Sequence, residues 1–322
     1  MNLPVLNEWL SLALGLVALY FGAEALVKGG AGLALRLGIT PLVVGLTVIA
    51  FGTSSPEMVV STQATLSGNG AIAVGNVVGS NICNIALILG LCAVISPLRA
   101  DIQVIRREVP IMIGVAVLAL LVLIDGTVAR WEGGVLLASL VVYTWLTVKQ
   151  ARAETSKAAE AEFSEELGQR KPSSLPFSIG AVIVGLGILV VGSNLFVTGA
   201  VTLAERWGMS QLAIGLTIVA VGTSLPEFAT SLLAAIKKQG DVAIGNVVGS
   251  NIFNVLGILG VAALVQPIHA PELAWLDLGV MLLVSLALLP VVRSGGSINR
   301  WEGAALFVVY AGYTAWLLRQ GG

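Results

Sequence analysis

The sequence predicts an all-α polytopic membrane protein with ten transmembrane helices, arranged as two inverted five-helix repeats. Three observations lead to this fold class. Charged residues are 11% of the chain and hydrophobic residues 57%, with a mean hydropathy of +0.95, whereas soluble domains carry about 25% charged residues. Ten apolar segments are each long enough to cross a bilayer. Residues 41–95 also recur without a gap as residues 211–265, with 27 of 55 positions identical.

The predicted spans follow from segment length, because a hydrocarbon core about 30 Å thick needs roughly 20 helical residues. The first repeat is assigned to residues 1–149 and the second to residues 176–322, and the charged segment 150–175 between them reads as a solvated cytoplasmic linker. The ten spans cover residues 9–33, 39–66, 71–95, 108–125, 131–149, 176–204, 210–236, 242–265, 273–292 and 300–318.

The number of spans in each half predicts that the halves are inverted. The duplication extends beyond its densest part, since Arg-Trp-Glu-Gly at 130–133 recurs at 300–303. Because five is odd, the second copy enters the membrane from the side opposite to the first. Inverted repeats are the architecture of many secondary transporters.

The distribution of basic residues predicts the orientation in the membrane. Thirteen of the 17 Lys and Arg residues fall in the loops of one side if the N-terminus is placed outside. Cytoplasmic loops carry the excess of Lys and Arg. We therefore expect a multi-pass protein of the plasma (inner) membrane with both termini outside.

Two polar motifs interrupt the apolar segments and are present in both halves. Gly-Thr-Ser-x-Pro-Glu occupies residues 52–57 and 222–227, and it places Glu57 and Glu227 midway along the second and seventh predicted spans. An ionised carboxylate at that depth costs at least about 2.5 kcal/mol. No Lys or Arg lies at the matching depth in both halves, so a bound cation is the favoured compensation. A protonated, hydrogen-bonded glutamic acid is the alternative.

Other oxygen donors surround the two carboxylates in the sequence. A threonine four residues before each glutamate shares its helical face, and Pro56 and Pro226 are expected to free backbone carbonyls of the preceding turn. The second motif, Gly-Asn-Val-Val-Gly-Ser-Asn-Ile-x-Asn, adds a serine and an asparagine per half. The resulting candidate ligands are Glu57, Glu227, Thr53, Thr223, Ser80, Ser250, Asn84 and Asn254, with the carbonyls of Ala50 and Ala220.

The candidate ligands and the rest of the sequence argue against several functional classes. The ligand set contains oxygen but neither His nor Cys, which suits hard cations such as Ca²⁺ or Na⁺ and not zinc or copper. No Walker A motif is present, so direct use of ATP is not expected. A net charge of −1 without a basic tract argues against nucleic acid. Two acids without a nucleophile and base argue against an enzyme.

The glycines of the second motif have a packing interpretation. Gly75 and Gly79, like Gly245 and Gly249, are four residues apart. Such small-xxx-small patterns let helices approach closely, so these glycines are predicted to form helix contacts and not to bind a ligand.

The paired motifs resemble the two alpha repeats of the cation/Ca²⁺ exchanger superfamily, here residues 45–84 and 215–254, and the short linker is similar to that of its prokaryotic sodium/calcium exchangers (calcium/sodium antiporters). The resemblance covers nearly the whole chain. It implies that both glutamates bind Ca²⁺ and Na⁺ and that the two threonines contribute at the same centre. It also implies flanking Na⁺ sites, formed by Ser80 and Ser250 with the carbonyls of Ala50 and Ala220. Asn84 and Asn254 would form a pair of amides at the middle of the centre.

The function implied by this resemblance is exchange of Na⁺ for Ca²⁺ by alternating access at a midplane site shared by both repeats. Spans 2, 3, 7 and 8 would form the core, and spans 1 and 6 would move against it. Both central amide positions are Asn, where some members carry a carboxylate, which argues against a proton-titrating central group and leaves the ion stoichiometry open. A H⁺/Ca²⁺ exchanger, a K⁺-dependent exchanger and a cation channel are the alternatives. The expected partners are the lipid bilayer and the two transported ions, with no organic cofactor and a monomer as the simplest functional unit.

Overall fold

The computed structural model describes residues 7–37, 40–154, 174–207, 220–270 and 275–320. The described helices are α1 (Glu8–Leu37), α2 (Leu42–Thr53), α3 (Ser55–Leu66), α4 (Gly70–Ile95), α5 (Val109–Val122), α6 (Arg130–Glu154), α7 (Leu175–Arg206), α8 (Ala220–Thr223), α9 (Leu225–Ile236), α10 (Gly240–Val265), α11 (Trp275–Arg293) and α12 (Arg300–Gln320). The strands are β1 (Leu98–Arg99), β2 (Thr127–Val128), β3 (Ile268–His269) and β4 (Ser297–Ile298).

The chain is a helical membrane protein. Within the described residues, six helices are long and apolar enough to cross a bilayer, or seven if the bent pair α2 and α3 is one span. Of the other predicted spans, the tenth is the unbroken 21-residue α12, which is not among those six or seven, and the fourth and seventh are interrupted or shorter. The fourth begins with a π-helical turn, Val104–Glu108, ahead of the 14-residue α5. The first part of the seventh, residues 210–219, lies outside the described residues, as does most of the predicted linker.

Two helices break at equivalent serines. Ser54 separates α2 from α3 with φ −84° and ψ 7°, and the two helices are bent by 45°. Ser224 separates α8 from α9 with φ −89° and ψ 9°. A proline occupies the first turn of the helix that follows each break. Because proline lacks an N–H and its ring clashes with the carbonyl four residues earlier, the same sequence pattern breaks both helices at the same place.

Helices α1 and α7 pack antiparallel along their length. An added Cβ at Gly15 would lie 2.7 Å from the Phe196 nitrogen, and one at Gly29 would lie 2.8 Å from the Val182 nitrogen. Early residues of α1 therefore face late residues of α7. Such close contact with main-chain atoms is possible only because these positions lack a side chain.

Charged residues join the ends of this helix pair to each other and to the rest of the bundle. Glu8 at the start of α1 forms an ion pair with Arg206 at the end of α7. Farther along α1, Glu24 lies 2.9 Å from the Lys28 ammonium and 3.5 Å from that of Lys237, just after α9. The Glu24 carboxylate therefore links α1 to the end of α9.

Two short antiparallel ribbons link the halves. Leu98 pairs with Ile298, and Thr127 pairs with His269. Strand β1 precedes α5 whereas its partner β4 follows α11; β2 follows α5 whereas its partner β3 precedes α11. Equivalent helices α5 and α11 therefore run in opposite directions.

The N-terminal half of α10 packs backbone to backbone on α2. An added Cβ at Gly245 would lie 2.8 Å from the Leu42 carbonyl oxygen, and one at Gly249 would lie 2.5 Å from that of Leu46. The predicted packing role is confirmed for these two glycines. At Gly75 and Gly79 an added Cβ would meet no described atom within 4 Å, and the equivalent partner positions, 212 and 216, lie outside the described residues. The contact partners of Gly245 and Gly249 lie beside and within a π-helical turn of α2, Gly45–Ile49, which widens the helix just before its break.

Candidate functional site

The two predicted carboxylates lie in the first turns of α3 and α9, directly after the helix breaks. Glu57 and Glu227 are each only 1% exposed. The first turn of a helix carries unpaired N–H groups and the positive end of the helix dipole, which stabilises a carboxylate. The C-terminal ends of α2 and α8, on the other side of the breaks, direct carbonyl oxygens toward the same region and favour a cation.

Two serines at the breaks connect the carboxylates across the repeats. The Ser54 hydroxyl donates to Glu227 Oε1 at 2.8 Å, and the Ser224 hydroxyl donates to Glu57 Oε1 at 3.3 Å. Ser224 Oγ also lies 3.5 Å from the Ser80 hydroxyl. Each half thus holds the carboxylate of the other half, and the two breaks form one centre.

The asparagines that begin the second motif brace the helices carrying the carboxylates. Asn76 Nδ2 on α4 donates to the Glu57 carbonyl at 3.2 Å and to the Ser61 hydroxyl at 2.9 Å. Asn246 on α10 makes the equivalent contacts in the second half, at 3.3 Å to the Glu227 carbonyl and 2.9 Å to a serine hydroxyl. These bonds fix the height of each glutamate against its neighbouring helix.

The central amides, Asn84 and Asn254, each donate a hydrogen bond to an asparagine of the other repeat. Asn84 Nδ2 donates to Asn251 Oδ1 at 3.0 Å, and Asn254 Nδ2 donates to Asn81 Oδ1 at 3.0 Å. All four side chains are buried. Every hydrogen bond in this group recurs at an offset of 170 residues, as the sequence duplication does.

Several oxygens around this centre have no hydrogen-bond partner among the described residues. They belong to both carboxylates, both central amides and one serine, and all are buried. An unpartnered buried acceptor is costly, because its loss of water is not compensated. A cation in the centre would satisfy these atoms, which are Glu57 Oε2, Glu227 Oε2, Asn84 Oδ1, Asn254 Oδ1 and Ser250 Oγ.

The predicted threonines close the C-terminal ends of α2 and α8. The Thr53 hydroxyl lies 3.1 Å from the Ile49 carbonyl oxygen and 3.3 Å from Asn246 Oδ1, and it also interacts with the Glu227 carboxylate. Thr223 occupies the equivalent end of α8 and is half-buried. The threonine of the first half is therefore at the centre, in contact with the second half.

The carbonyl of Ala50 differs from the expectation. It accepts the Ser54 N–H at 3.1 Å, so Pro56 does not free it; a proline removes the donor to the carbonyl four residues earlier, which is that of Gly52. In the second half the Ser224 N–H bonds to Val221 at 3.1 Å, and Ala220 is the first residue of α8. Coordination by the two alanine carbonyls stays a prediction. The Ala50 oxygen also lies 3.4 Å from the Thr53 hydroxyl, so a cation there would compete with a second donor.

Sequence reasoning missed Ser54 and Ser224. Both are identical in the repeated motif, and each lies three residues before a glutamate, a spacing that also shares a helical face. The break at each serine turns its side chain out of its own helix, so it reaches the glutamate of the other repeat and not its own. This contact between repeats depends on the fold and cannot be predicted from the spacing of the residues in the sequence.

The chemistry of the centre fits a hard cation. Calcium takes six to eight oxygen ligands from carboxylates, amides, carbonyls and hydroxyls, and the residues described above include all four kinds. Within the described residues, no cluster of three or more His, Cys, Asp or Glu side chains is present that could hold a metal ion in the usual way. A cation held here would take most of its ligands from neutral oxygens, with its charge balanced by the two carboxylates.

Known proteins are similar to this chain in sequence and in fold. The family model of the sodium/calcium exchanger protein matches residues 7–149 and 177–319. Inner membrane protein YrbG of Escherichia coli K12 is 39% identical over 313 residues, covering 95% of this chain and 96% of YrbG. Sodium/calcium exchanger MaX1 of Methanosarcina acetivorans is 32% identical over 340 residues, covering 95% and 97%.

A solved structure agrees with the sequence matches. The sodium-calcium exchanger NCX_Mj, soaked with zero Na⁺ and Ca²⁺, has a TM-score of 0.83 and 34% identity, covering 96% of this chain and 98% of that one. The similarity includes both halves of the chain and the motifs that form the buried centre. The chain therefore belongs to the sodium/calcium exchanger protein family.

Proposed function

We propose that this protein is a secondary antiporter that exchanges Na⁺ for Ca²⁺ at one centre shared by both repeats. The observation that carries the proposal is the crossed arrangement of Ser54 with Glu227 and Ser224 with Glu57, together with buried oxygens on both halves that have no partner in the described part of the chain. A single centre with two carboxylates matches the charge of one Ca²⁺. The similarity to MaX1 and NCX_Mj, both named sodium/calcium exchangers, supports the same ion pair.

Exchange follows from competition for the same oxygens. Two carboxylates that are neutralised by Ca²⁺ would be left uncompensated when it leaves, at a cost of several kcal/mol in a low-dielectric setting. Sodium ions that enter the centre and its flanks would remove that cost. Glu57 and Glu227 would then serve both ions in turn, with Thr53 and Thr223 beside them.

We assign the flanking Na⁺ sites to neutral oxygens. Ser80 and Ser250 would supply hydroxyls there, with the carbonyls of Ala50 and Ala220, while Asn84 and Asn254 would present amide oxygens at the middle. Ser80 and Ser250 are buried on α4 and α10. Ser80 lies beside Ser224, and Ser250 Oγ is one of the unpartnered atoms.

We further propose ten spans in two inverted five-helix repeats, residues 1–149 and 176–322, with both termini outside the plasma (inner) membrane. Support comes from the opposite directions of α5 and α11, from the paired ribbons, and from the inner-membrane name of YrbG. Alternating access would move the antiparallel pair α1 and α7 against the helices that hold the centre.

Removal of sodium is the direct test of this function. Proteoliposomes loaded with Na⁺ and diluted into choline medium should accumulate Ca²⁺, whereas those loaded with choline should accumulate no more than protein-free liposomes. Uptake that depends on a pH gradient and proceeds without Na⁺ would identify a proton-coupled exchanger. A strict requirement for K⁺ beside Na⁺ would identify a K⁺-dependent one, and Ca²⁺ current without countertransport would identify a channel.

Replacement of the two flanking hydroxyls should separate the ions. Ser80→Ala and Ser250→Ala keep both carboxylates, so Ca²⁺ affinity measured by calorimetry without Na⁺ should change by less than about tenfold, or roughly 1.4 kcal/mol. The Na⁺ concentration that drives half-maximal exchange should rise. Ser139→Ala is the matched control, because its hydroxyl bonds within α6 to Val135. Loss of Ca²⁺ binding with normal Na⁺ dependence would contradict the assignment of flanking sodium sites.

A further inference from the structure

We propose that Asn81 and Asn251 are positioning residues that orient the amides of Asn254 and Asn84, so that both amide oxygens face the cation. This inference rests on the proposed function, since it assumes a cation at the centre. It assigns a role to two asparagines of the second motif that are not among the predicted ligands. All four asparagines are at most 3% exposed.

The argument starts from two main-chain carbonyls. Asn81 Nδ2 lies 3.4 Å from the carbonyl oxygen of Asn251 and 3.7 Å from the sulfur of Met281. A carbonyl and a thioether only accept hydrogen bonds, whereas an asparagine amide donates at one end and accepts at the other. The NH₂ group of Asn81 must therefore lie on this side, because a flipped amide would bring its oxygen against two acceptors.

The second repeat makes the same arrangement. Asn251 Nδ2 lies 3.3 Å from the carbonyl oxygen of Asn81 and 3.7 Å from the sulfur of Met112. The main chain and a thioether thus fix the orientation of each of these two side chains. Neither amide can reverse without the loss of its donor contacts.

The fixed orientation is passed on to the central amides. Because the NH₂ groups of Asn81 and Asn251 are engaged, their oxygens point toward Asn254 and Asn84 and can only accept. Asn254 Nδ2 donates to Asn81 Oδ1 and Asn84 Nδ2 donates to Asn251 Oδ1, both at 3.0 Å. The oxygens of Asn254 and Asn84 are then at the opposite ends of their amides, where both are buried and accept no hydrogen bond from a described residue.

Each chain of hydrogen bonds therefore starts at a main-chain carbonyl, which fixes the amide of Asn81 or Asn251. That amide fixes the amide of Asn254 or Asn84, whose oxygen is left facing the centre. Without Asn81, the amide of Asn254 has no fixed acceptor and can turn its NH₂ group toward the cation, which repels it. The link crosses between repeats: Asn81 acts on Asn254, 173 residues away, and not on Asn84, which is one helical turn away on the same helix.

A double-mutant cycle on Ca²⁺ binding tests this inference. The full-length purified chain is titrated calorimetrically with CaCl₂ in the absence of Na⁺, as wild type, Asn81→Ala, Asn254→Ala and both together. Asn81→Ala should weaken binding in the wild-type background at least about threefold more than in the Asn254→Ala background, within the range for partners in one hydrogen-bond network. The matched control combines Asn81→Ala with Asn84→Ala, where the two effects should be closer to additive.

The outcomes are distinguishable. Equal effects of Asn81→Ala in all backgrounds, or stronger coupling to Asn84 than to Asn254, would mean that Asn81 contributes only to packing, and the inference would be wrong. If a variant does not purify as folded protein, the cycle of Asn251→Ala with Asn84→Ala replaces it, because it tests the same link in the other direction. Absence of Ca²⁺ binding by the wild-type chain would overturn the proposed function itself.

Discussion

Glu57→Gln and Glu227→Gln should each abolish Ca²⁺ uptake into proteoliposomes. Glutamine keeps the shape of the side chain and an oxygen that can accept from Ser224 or Ser54, so the main change is the loss of one negative charge. A unit charge about 4 Å from another contributes about 4 kcal/mol at an effective dielectric constant of 20, and more for a divalent ion. That energy corresponds to a loss of affinity of about a thousandfold.

The matched control is the same substitution at a glutamate that has a similar position in its helix but lies outside the centre. Glu132 also lies in the first turn of its helix, α6, where its carboxylate accepts the Ala129 N–H at 2.8 Å. Glu132→Gln should leave uptake close to wild type. Near-normal Ca²⁺ uptake by Glu57→Gln or by Glu227→Gln would show that the two carboxylates do not act on one ion.

The membrane class and the duplication of the chain follow from its sequence, because both depend on composition and identity alone. Apolar segments must form helices in a bilayer to satisfy their backbone groups. The second motif falls on one helix in each half, whereas the first spans the helix breaks at Ser54 and Ser224. Span boundaries were harder to predict. The π-helical turns at Val104–Glu108 and Cys83–Leu89 lie in segments whose composition does not distinguish them from α-helix.

The candidate site residues that share one helix could be predicted from their spacing in the sequence. The carboxylates, threonines and central amides were identified because each is a polar residue on an apolar helix. Contacts between repeats have no such signal. Ser54 and Ser224 gain their role from a helix break, and Asn81 and Asn251 gain theirs from carbonyls on the opposite helix. Neither partner is near in sequence, so only the fold identifies them.

We expect Gly249→Val to disrupt the close contact between α2 and α10 and to have the second large effect on stability and Ca²⁺ uptake. A Cβ at Gly249 would lie 2.5 Å from the Leu46 carbonyl oxygen and 2.7 Å from the Leu46 Cα. Both are main-chain atoms, which cannot turn away as the end of a side chain can. Overpacking of this kind costs about 1 to 3 kcal/mol, and occasionally more, and it is relieved only if α2 moves away from α10.

That movement would separate the two halves of the centre. Thr53, at the end of α2, contacts Asn246 of α10 at 3.3 Å, and Ser54 holds Glu227 at 2.8 Å. We therefore expect Gly249→Val to lower the thermal unfolding temperature and to reduce Ca²⁺ uptake to background. Gly187→Val on α7 is the control, because Gly187 is exposed and an added Cβ there would meet no described atom within 4 Å. Wild-type stability and uptake in Gly249→Val would mean that α2 can shift without disturbing the centre, so that the glycine contact does not set the spacing between the two repeats.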